Sequence, residues 1–349
     1  MKRGFFALLL LAACYCTAVA EFPSLSLDSI ATWGKFPRFC VNTYRWGDEF
    51  FNGYDTSYVV GTGYKFNGKI TSDSWTDGYH FILPNSKSIM MRSHASTTVG
   101  FYLTYLALSV GYDANIRQIF GGERDARKRW RFGFNCMLFA AEFYYVRNNS
   151  GTVITHFGDR KQPERIRLAF NDLDTFTWGV DAYYFFNHKR YSEAASFNFS
   201  RIQLKSQGSF YTGFSIYTQK LNFNFSKLPA EMRDQLPTSW KDFRYNVHTH
   251  NYAVRLGYGY NWVFHRGWCL GITESPIIGI RSGFVNSDIS KVSFSLYNRT
   301  GLSIVWNHKR WFAGGMAKFD FAIVNDKETT YAGGTLSGEA VVGFRFNIW

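Results

Sequence analysis

The sequence predicts an all-β protein: a transmembrane antiparallel up-and-down β-barrel of about twelve strands, within a range of roughly ten to fourteen. Three observations support this fold class. Of the 349 residues, 19% are aromatic and only 19% are charged, which excludes a disordered chain. Long segments alternate apolar and polar residues with a period of two. After residue 20, no apolar stretch approaches the roughly 20 residues that a membrane-spanning helix needs.

The first twenty residues have the features of a secretory signal peptide. Lys2 and Arg3 precede an apolar run, and Ala18-Val19-Ala20 is the small-x-small pattern that signal peptidase cleaves. Leu11-Ala12-Ala13-Cys14 also resembles a lipobox, the alternative in which Cys14 carries a lipid. Export argues against a nucleic-acid partner, despite the formal net charge of +13. Cleavage after Ala20 leaves Cys40, Cys136 and Cys269, a scattered trio that is no disulfide framework.

The alternation is clearest between residues 251 and 262. One parity carries Tyr252, Val254, Leu256, Tyr258, Tyr260 and Trp262, and the other carries Asn251, Ala253, Arg255, Gly257, Gly259 and Asn261. A soluble sandwich also alternates, but small residues on the polar parity suit a crowded lumen. Aromatic residues near strand ends, such as Trp306 and Trp311, indicate the interfacial girdle of a membrane barrel.

Turns and connections predict the topology. Segments 186–191, 264–268 and 306–311 share the order aromatic, His, basic, aromatic, and short turns are typical of the periplasmic rim. Long polar connections at 116–129, 158–172, 224–246 and 325–334 then lie on the opposite rim. The candidate spans are 58–66, 95–103, 106–114, 130–145, 151–157, 174–186, 208–220, 249–263, 268–280, 292–306, 311–324 and 336–348.

This pattern predicts three regions and places both termini in the periplasm. They are a signal peptide over 1–20, a periplasmic extension over 21–55 with a short helix, and the barrel over 56–349. Segment 191–207 alternates poorly, so we interpret it as a periplasmic or lumen-inserted segment.

The C-terminal strand carries a family resemblance. With Val342-Gly343-Phe344-Arg345-Phe346-Asn347-Ile348-Trp349, the chain resembles Gram-negative outer-membrane β-barrel proteins, whose aromatic C-terminus is read by the insertion machinery. Trp349 departs from that pattern because it has the opposite parity from Phe344 and Phe346. More narrowly, Tyr54–Val59, Leu108–Tyr112, Phe185–Ser192 and Gln203–Ser209 resemble an uncharacterised barrel family of Bacteroides-type bacteria. The resemblance implies a fold and a location, and no activity.

Charged residues on the inward parity are the main candidate site. Because Arg or Lys facing lipid near the midplane costs about 2–4 kcal/mol, we expect these side chains to face the lumen. Either they form a salt-bridge network that plugs and braces a narrow barrel, or their basic excess provides a pathway for anions. Glu274 has the outward parity beside Pro276, which is expected to mark a bulge. The inward set is Arg255, Arg281, Arg299, Lys318, Asp320, Glu339 and Arg345.

Two histidine motifs are candidate catalytic or metal sites. His94-Ala95-Ser96 resembles the His-x-Ser of outer-membrane acyl hydrolases, in which His activates a Ser nucleophile, but the Asn-rich continuation of those enzymes is missing. His248 and His250 share a face, and surface polarity is favoured over a metal site. No catalytic residue, metal or cofactor is therefore predicted.

Three functions are compatible with the sequence. The first is a passive or gated pore for small, anionic solutes; the second is a plugged barrel that binds at the surface or supports the envelope; the weakest is the acyl hydrolase. The predicted partners are outer-membrane lipid, lipopolysaccharide and the insertion machinery, and the predicted state is a monomer. Arg127, Lys128 and Arg129 are predicted to form a loop that pairs with lipopolysaccharide phosphates.

Overall fold

The structure, a computed structural model, describes residues 27–83, 87–105, 108–119, 128–148, 151–285, 293–325 and 330–347. Two compact units are present, one ending at Gly53 and one running from Tyr54 to Phe346. The predicted signal peptide and the Cys14 alternative lie outside the described residues. Among the described residues, Cys40, Cys136 and Cys269 are free thiols.

The N-terminal unit is helical. It contains α1 (Leu27–Ala31) and the 18-residue α2 (Lys35–Asn52), which is longer than the short helix expected. Arg45 Nη2 lies 2.5 Å from Asp28 Oδ1 and joins the two helices. Val41 is the single buried side chain of α2. Across the described residues, every helix falls short of the length and apolar character needed to cross a membrane.

The second unit is built from strands. Three short helices, α3 (Ile116–Ile119), α4 (Glu193–Phe197) and α5 (Ala230–Arg233), and two 3-10 turns, Phe225–Lys227 and Thr238–Trp240, connect them. The strands are β1 (Val59–Gly61), β2 (Phe66–Ile82), β3 (Lys87–Ser93), β4 (Ser96–Tyr105), β5 (Leu108–Asn115), β6 (Lys128–Asn135), β7 (Phe139–Asn148), β8 (Thr152–Asp159), β9 (Gln162–Phe170), β10 (Leu173–Phe185), β11 (Arg201–Gln203), β12 (Gln207–Asn224), β13 (Arg244–His265), β14 (Trp268–Val285), β15 (Ser293–His308), β16 (Trp311–Asn325) and β17 (Thr330–Phe346).

The strand order confirms an antiparallel barrel fold. A path of twelve strands runs β6-β7-β10-β12-β13-β14-β15-β16-β17-β2-β4-β5. The long β2 pairs with β4 over Phe66–Trp75 and with β3 over Gly78–Ile82, so β3, β8 and β9 continue as a branch from one end. Charged side chains of strands far apart on this path meet inside it, which shows that the sheet curls around an interior.

The spans predicted for the N-terminal half are partly wrong. The first crossing strand is Phe66–Ile82 rather than 58–66, and segment 130–145 is a hairpin of β6 and β7. Segment 151–157 is β8, which belongs to the branch. The outward parity of β2 is largely Gly, Ser and Thr, and the β6–β7 turn is Cys136-Met137-Leu138, so neither carries an apolar alternation or a polar turn signal.

The C-terminal strands confirm the alternation. In β13, Val254 and Leu256 are 57% and 55% exposed, whereas Ala253 and Arg255 are buried. The inward glycines are required by close packing. A Cβ on Gly257 would lie 2.3 Å from Cζ of Tyr211, and one on Gly259 would lie 2.2 Å from the hydroxyl of Tyr191.

Aromatic rings line the rim that carries the short turns. Gly267, with a φ of 81°, permits the β13–β14 turn, and its carbonyl accepts a hydrogen bond of 2.7 Å from Asn307 N beside the β15–β16 turn. Ring contacts run between neighbouring strands here, as at Trp311 and Phe344, whose centroids are 4.8 Å apart. We call this set the aromatic girdle: Phe66, Tyr105, Phe264, Trp268, Trp306, Trp311, Phe344 and Phe346.

The opposite end, which carries the long connections, contains the largest apolar core. Phe81, Phe223 and Phe225 are almost completely buried, and the rings of Phe223 and Phe225 are 4.5 Å apart. The connection between β12 and β13 contributes Leu228, Met232, Leu236 and Trp240 to the same cluster. These residues fold the connection inward as an apolar lid.

Phe225→Ala is expected to lower the free energy of unfolding by about 3–5 kcal/mol, because it leaves a cavity among rings that cannot collapse. Urea unfolding of the refolded protein in detergent measures this loss. The matched control is Phe36→Ala, at a side chain that is 75% exposed, with an expected change within about 0.5 kcal/mol. Equal effects of the two substitutions would contradict a buried lid.

Candidate functional site

A layer of ion pairs crosses the interior between the two ends. Asp181 on β10 is 1% exposed, and its Oδ2 accepts hydrogen bonds from Arg255 Nη2 on β13 at 2.8 Å and from Arg299 Nη1 on β15 at 3.1 Å. Arg299 also donates through Nε to Asp320 Oδ1 on β16 at 2.5 Å. Three guanidinium–carboxylate contacts therefore tie four strands together.

The layer continues onto the N-terminal strands. Arg129 Nη1 on β6 lies 2.8 Å from Asp73 Oδ2 on β2, and Arg131 Nε lies 3.6 Å from Glu142 Oε1. Glu142 also lies 4.0 Å from Arg299 Nη1. Apart from Asp73, these charged residues border a cavity of about 240 Å³ that is also lined by aromatic side chains, including Trp75, Tyr144, Tyr217, Tyr297 and Tyr331.

The structure brings together only some of the predicted lumen residues. Arg255, Arg299 and Asp320 line the cavity, while Lys318 and Glu339 border a smaller pocket beside it with Asp73 and Arg129. Arg281 is buried apart from that cavity lining, where β14 pairs with Asn251. Arg345 lies near the short-turn rim, where its Nη2 donates to the Phe199 carbonyl at 2.8 Å and to Asn307 Oδ1 at 2.6 Å.

Around the cavity, the expected basic excess is not found, because four arginines and four carboxylates line it. Asp73, Glu142 and Asp181 face the same interior and pair with its arginines, and Asp77 lines the cavity. Sequence reasoning missed them because it examined charge only on the C-terminal strands. Asp181 was detectable, since it shares the parity of Thr177 and Gly179 on a predicted span.

Most of segment 191–207 lies inside the barrel at the short-turn end, and we call this segment the plug. Tyr191, Ala194, Ala195, Ser196 and Phe199 are each no more than 3% exposed. Asn261 on the wall donates through Nδ2 to the Ser192 carbonyl at 2.8 Å and accepts from Ser196 Oγ at 2.5 Å. The lumen-inserted alternative for this segment is therefore confirmed.

The chain leading into the barrel is tied to the plug. β1 pairs with β11 inside the plug, and Asp55 N donates to the Lys189 carbonyl at 2.8 Å. The hydroxyl and the amide of Ser57 both donate to Asp55 Oδ1 and hold the pKa of that carboxyl below its usual value. The plug is thus held by the wall and by the incoming chain.

Glu274 marks no bulge. The β14–β15 register runs without a shift through Glu274, Ser275 and Pro276. Glu274 is outward-facing, and its two carboxylate oxygens accept hydrogen bonds from Asn298 Nδ2 at 2.5 Å and from Thr300 Oγ1 at 2.6 Å. The neighbouring side chains satisfy the carboxylate. The pairing of β14 with β13 lapses at Ser275 and Pro276, but its register is the same on both sides, so no residue is inserted.

In the two histidine motifs, His94 and His250 make hydrogen-bond contacts with a carbonyl oxygen and a hydroxyl oxygen, respectively. His94 Nδ1 lies 2.8 Å from the Gly151 carbonyl oxygen, and Ser96 Oγ accepts from Asn115 Nδ2 at 3.1 Å. His250 Nδ1 lies 2.9 Å from Thr218 Oγ1. No group of three or more metal-ligating side chains is present within the described ranges.

The predicted lipopolysaccharide loop is corrected in part. Arg129 lies on β6 with its guanidinium inside the barrel on Asp73, so it is not an external loop residue. The parity of β6 turns Arg129 and Arg131 inward, and the predicted span began at residue 130, two residues after the strand begins. Arg127 and the side chain of Lys128 lie outside the described residues.

These features together define a β-barrel of the outer-membrane type, with apolar side chains outside and charged side chains inside. Residues 53–346 match the family model described as "Domain of unknown function (DUF4421)", and the chain belongs to that family. No curated protein matches the chain significantly.

Several solved barrel structures are similar to the chain. The outer membrane protease OmpT from Escherichia coli is 6% identical, with a TM-score of 0.36 over 80% of this chain and 96% of that chain. The translocator domain of the autotransporter NalP from Neisseria meningitidis is 12% identical, with a TM-score of 0.31 over 80% and 88%. The beta domain of the Bordetella autotransporter BrkA is 9% identical, with a TM-score of 0.31 over 79% and 99%.

Proposed function

We propose that the protein is an outer-membrane barrel whose lumen is closed at rest, and that it acts by binding at the surface or by supporting the envelope. The plug carries this proposal, because its side chains are buried in the lumen and hydrogen-bonded to the wall. The apolar lid supports it from the other end. Such closure is unsuited to a passive pore, for which a continuous aqueous path is needed.

The membrane location is part of the same proposal. Phe214, Ile216, Val254 and Leu256 are exposed on the outer wall, and a soluble protein rarely exposes so continuous an apolar surface. The aromatic girdle supports placing the short-turn rim at the periplasmic interface, with both termini on that side. We also propose that the family is one of Bacteroides-type bacteria and that the barrel contacts lipopolysaccharide.

A gated pore is the second candidate. The charged cavity between the plug and the lid favours it, because a polar space of about 240 Å³ could form part of an aqueous path once the plug and the lid move. Since acidic and basic groups alternate around that cavity, anion selectivity is no longer favoured. An acyl hydrolase gains no support from the contacts of His94 and Ser96.

The wild-type protein is expected to be silent in a planar bilayer, because the plug and the lid block the aqueous path. The measurement is single-channel conductance of protein shown to be folded by its heat-dependent mobility on a gel. Long-lived discrete steps from that preparation would contradict the closed barrel and favour the pore. Silence under applied voltage with later opening on addition of a ligand would favour gating.

A further inference from the structure

Helix α2 carries a band of exposed aromatic side chains. Phe36, Phe39, Trp46 and Phe50 are between 50% and 75% exposed. Their spacing of three, seven and four residues puts them on one side of a helix, together with Cys40. We call this side the aromatic face. The rings of Trp46 and Phe50 stack with centroids 5.4 Å apart, so the face is continuous at its C-terminal end.

The opposite side of α2 is polar. It carries Arg38, Asn42, Arg45 and Glu49, and Lys35 lies at its N-terminal edge. The apolar side consists of aromatic residues rather than the Leu and Ile that dominate protein cores. Phe, Trp and basic residues on the two sides of one helix are typical of a helix that lies in the interface of a membrane.

The link between α2 and the barrel unit is short. The helix ends at Asn52, and Asp55 is already hydrogen-bonded to Lys189 in the turn over 186–191. Two residues, Gly53 and Tyr54, span the interval. Under the proposed membrane location, the aromatic girdle lies at the level of the interface, and the two-residue link limits how far the end of the helix can be from Asp55.

We propose that α2 is an interfacial anchor. Its aromatic face inserts into the headgroup–acyl boundary of the phospholipid leaflet at the short-turn rim, and Lys35, Arg38 and Arg45 stay at the level of the phosphates. The occupant of the exposed face is thus a phospholipid surface. This inference rests on the proposed membrane location of the barrel and adds a second membrane contact to it.

Cys40 provides a probe on the aromatic face. It is exposed, whereas Cys136 and Cys269 are buried, so labelling the folded chain that begins at Glu21, and therefore lacks Cys14 and Cys16, puts a nitroxide at Cys40. The labelled protein is reconstituted into vesicles of phosphatidylethanolamine and phosphatidylglycerol. Power-saturation electron paramagnetic resonance then compares collisions with oxygen, which concentrates in lipid, and with a water-soluble nickel chelate.

Two matched variants carry the same label elsewhere. In a Cys40→Ser background, Glu49→Cys probes the polar side of α2, and Val254→Cys probes the outer barrel wall, which is 57% exposed at that position. We expect the labels at Cys40 and at Val254→Cys to favour oxygen by severalfold over the label at Glu49→Cys. Trp46→Asp with Phe50→Asp is expected to move the Cys40 label towards the nickel chelate.

The outcomes separate the anchor from the barrel. If the Cys40 label meets the nickel chelate as often as the Glu49→Cys label while the Val254→Cys label stays in lipid, the anchor is overturned and the barrel stands. Shielding of Cys40 from both reagents would mean that protein covers the face, which also overturns the anchor. A water-exposed Val254→Cys label in folded protein would overturn the membrane location itself.

Discussion

Asp181→Asn is expected to lower the free energy of unfolding by about 3–5 kcal/mol, because it leaves a buried guanidinium without its carboxylate. Asp181 receives hydrogen bonds from both Arg255 and Arg299, and the Asp181 and Arg255 side chains are only 2% and 4% exposed. Asparagine keeps the shape of the side chain and removes its charge. Arg299 retains Asp320, so the main loss falls on Arg255. Urea unfolding followed by tryptophan fluorescence measures the difference.

The matched control is Asp174→Asn on the same strand. Asp174 Oδ2 lies 3.7 Å from Arg147 Nη2, and both side chains are at least 40% exposed, so the expected loss is about 0–1 kcal/mol. A double variant, Asp181→Leu with Arg255→Met, removes both charges and is expected to recover most of the stability. A loss for Asp181→Asn no larger than that for Asp174→Asn would show that the ion-pair layer does not brace the barrel.

The outer surface of the barrel was more predictable than its interior. Strands β12 to β17 place large apolar residues on one parity and small or charged residues on the other, because one face meets lipid and the other a crowded lumen. That local signal gave the parity of Arg255, Arg299 and Asp320. The N-terminal strand β2 lacks it, since its outward residues include Gly68, Ser72 and Ser74, and its start was misplaced.

The arrangement of the interior depends on contacts between distant strands. The pairs formed by Arg129 with Asp73 and by Asp181 with Arg299 join residues 56 and 118 positions apart in sequence. No local pattern reports which inward carboxylate meets which arginine. The absence of alternation in 191–207 indicated only that this segment is not a membrane-spanning strand. Its position inside the lumen is visible only in the structure.

Gly271→Val is expected to displace the plug and to speed chemical modification of Cys269 by about tenfold or more, because opening of the plug admits water and reagent. A Cβ on Gly271 would lie 2.6 Å from Cβ of Ser196 in α4, so a valine leaves no room for this helix. Cys269 is 4% exposed, with its Sγ 3.5 Å from Ser196 Oγ, and therefore reports directly on that contact. The measurement is the rate of reaction with a water-soluble maleimide in a background of Cys40→Ser and Cys136→Ser.

The control for backbone effects is Gly68→Val, because nothing lies within 4 Å of a Cβ at that position. Its rate of maleimide modification at Cys269 is expected to equal that of the protein without a glycine substitution. If Gly271→Val does not show the gel mobility of folded protein, Asn261→Leu replaces it as the test. This substitution removes the hydrogen bonds to Ser192 and Ser196 without adding bulk next to α4. If both folded variants keep the slow parental rate, the plug is not what shields Cys269. If the Cys269 modification rate rises in either variant while that variant shows no conductance in a planar bilayer, the lid alone holds the barrel closed. A gated pore would then require movement at both ends.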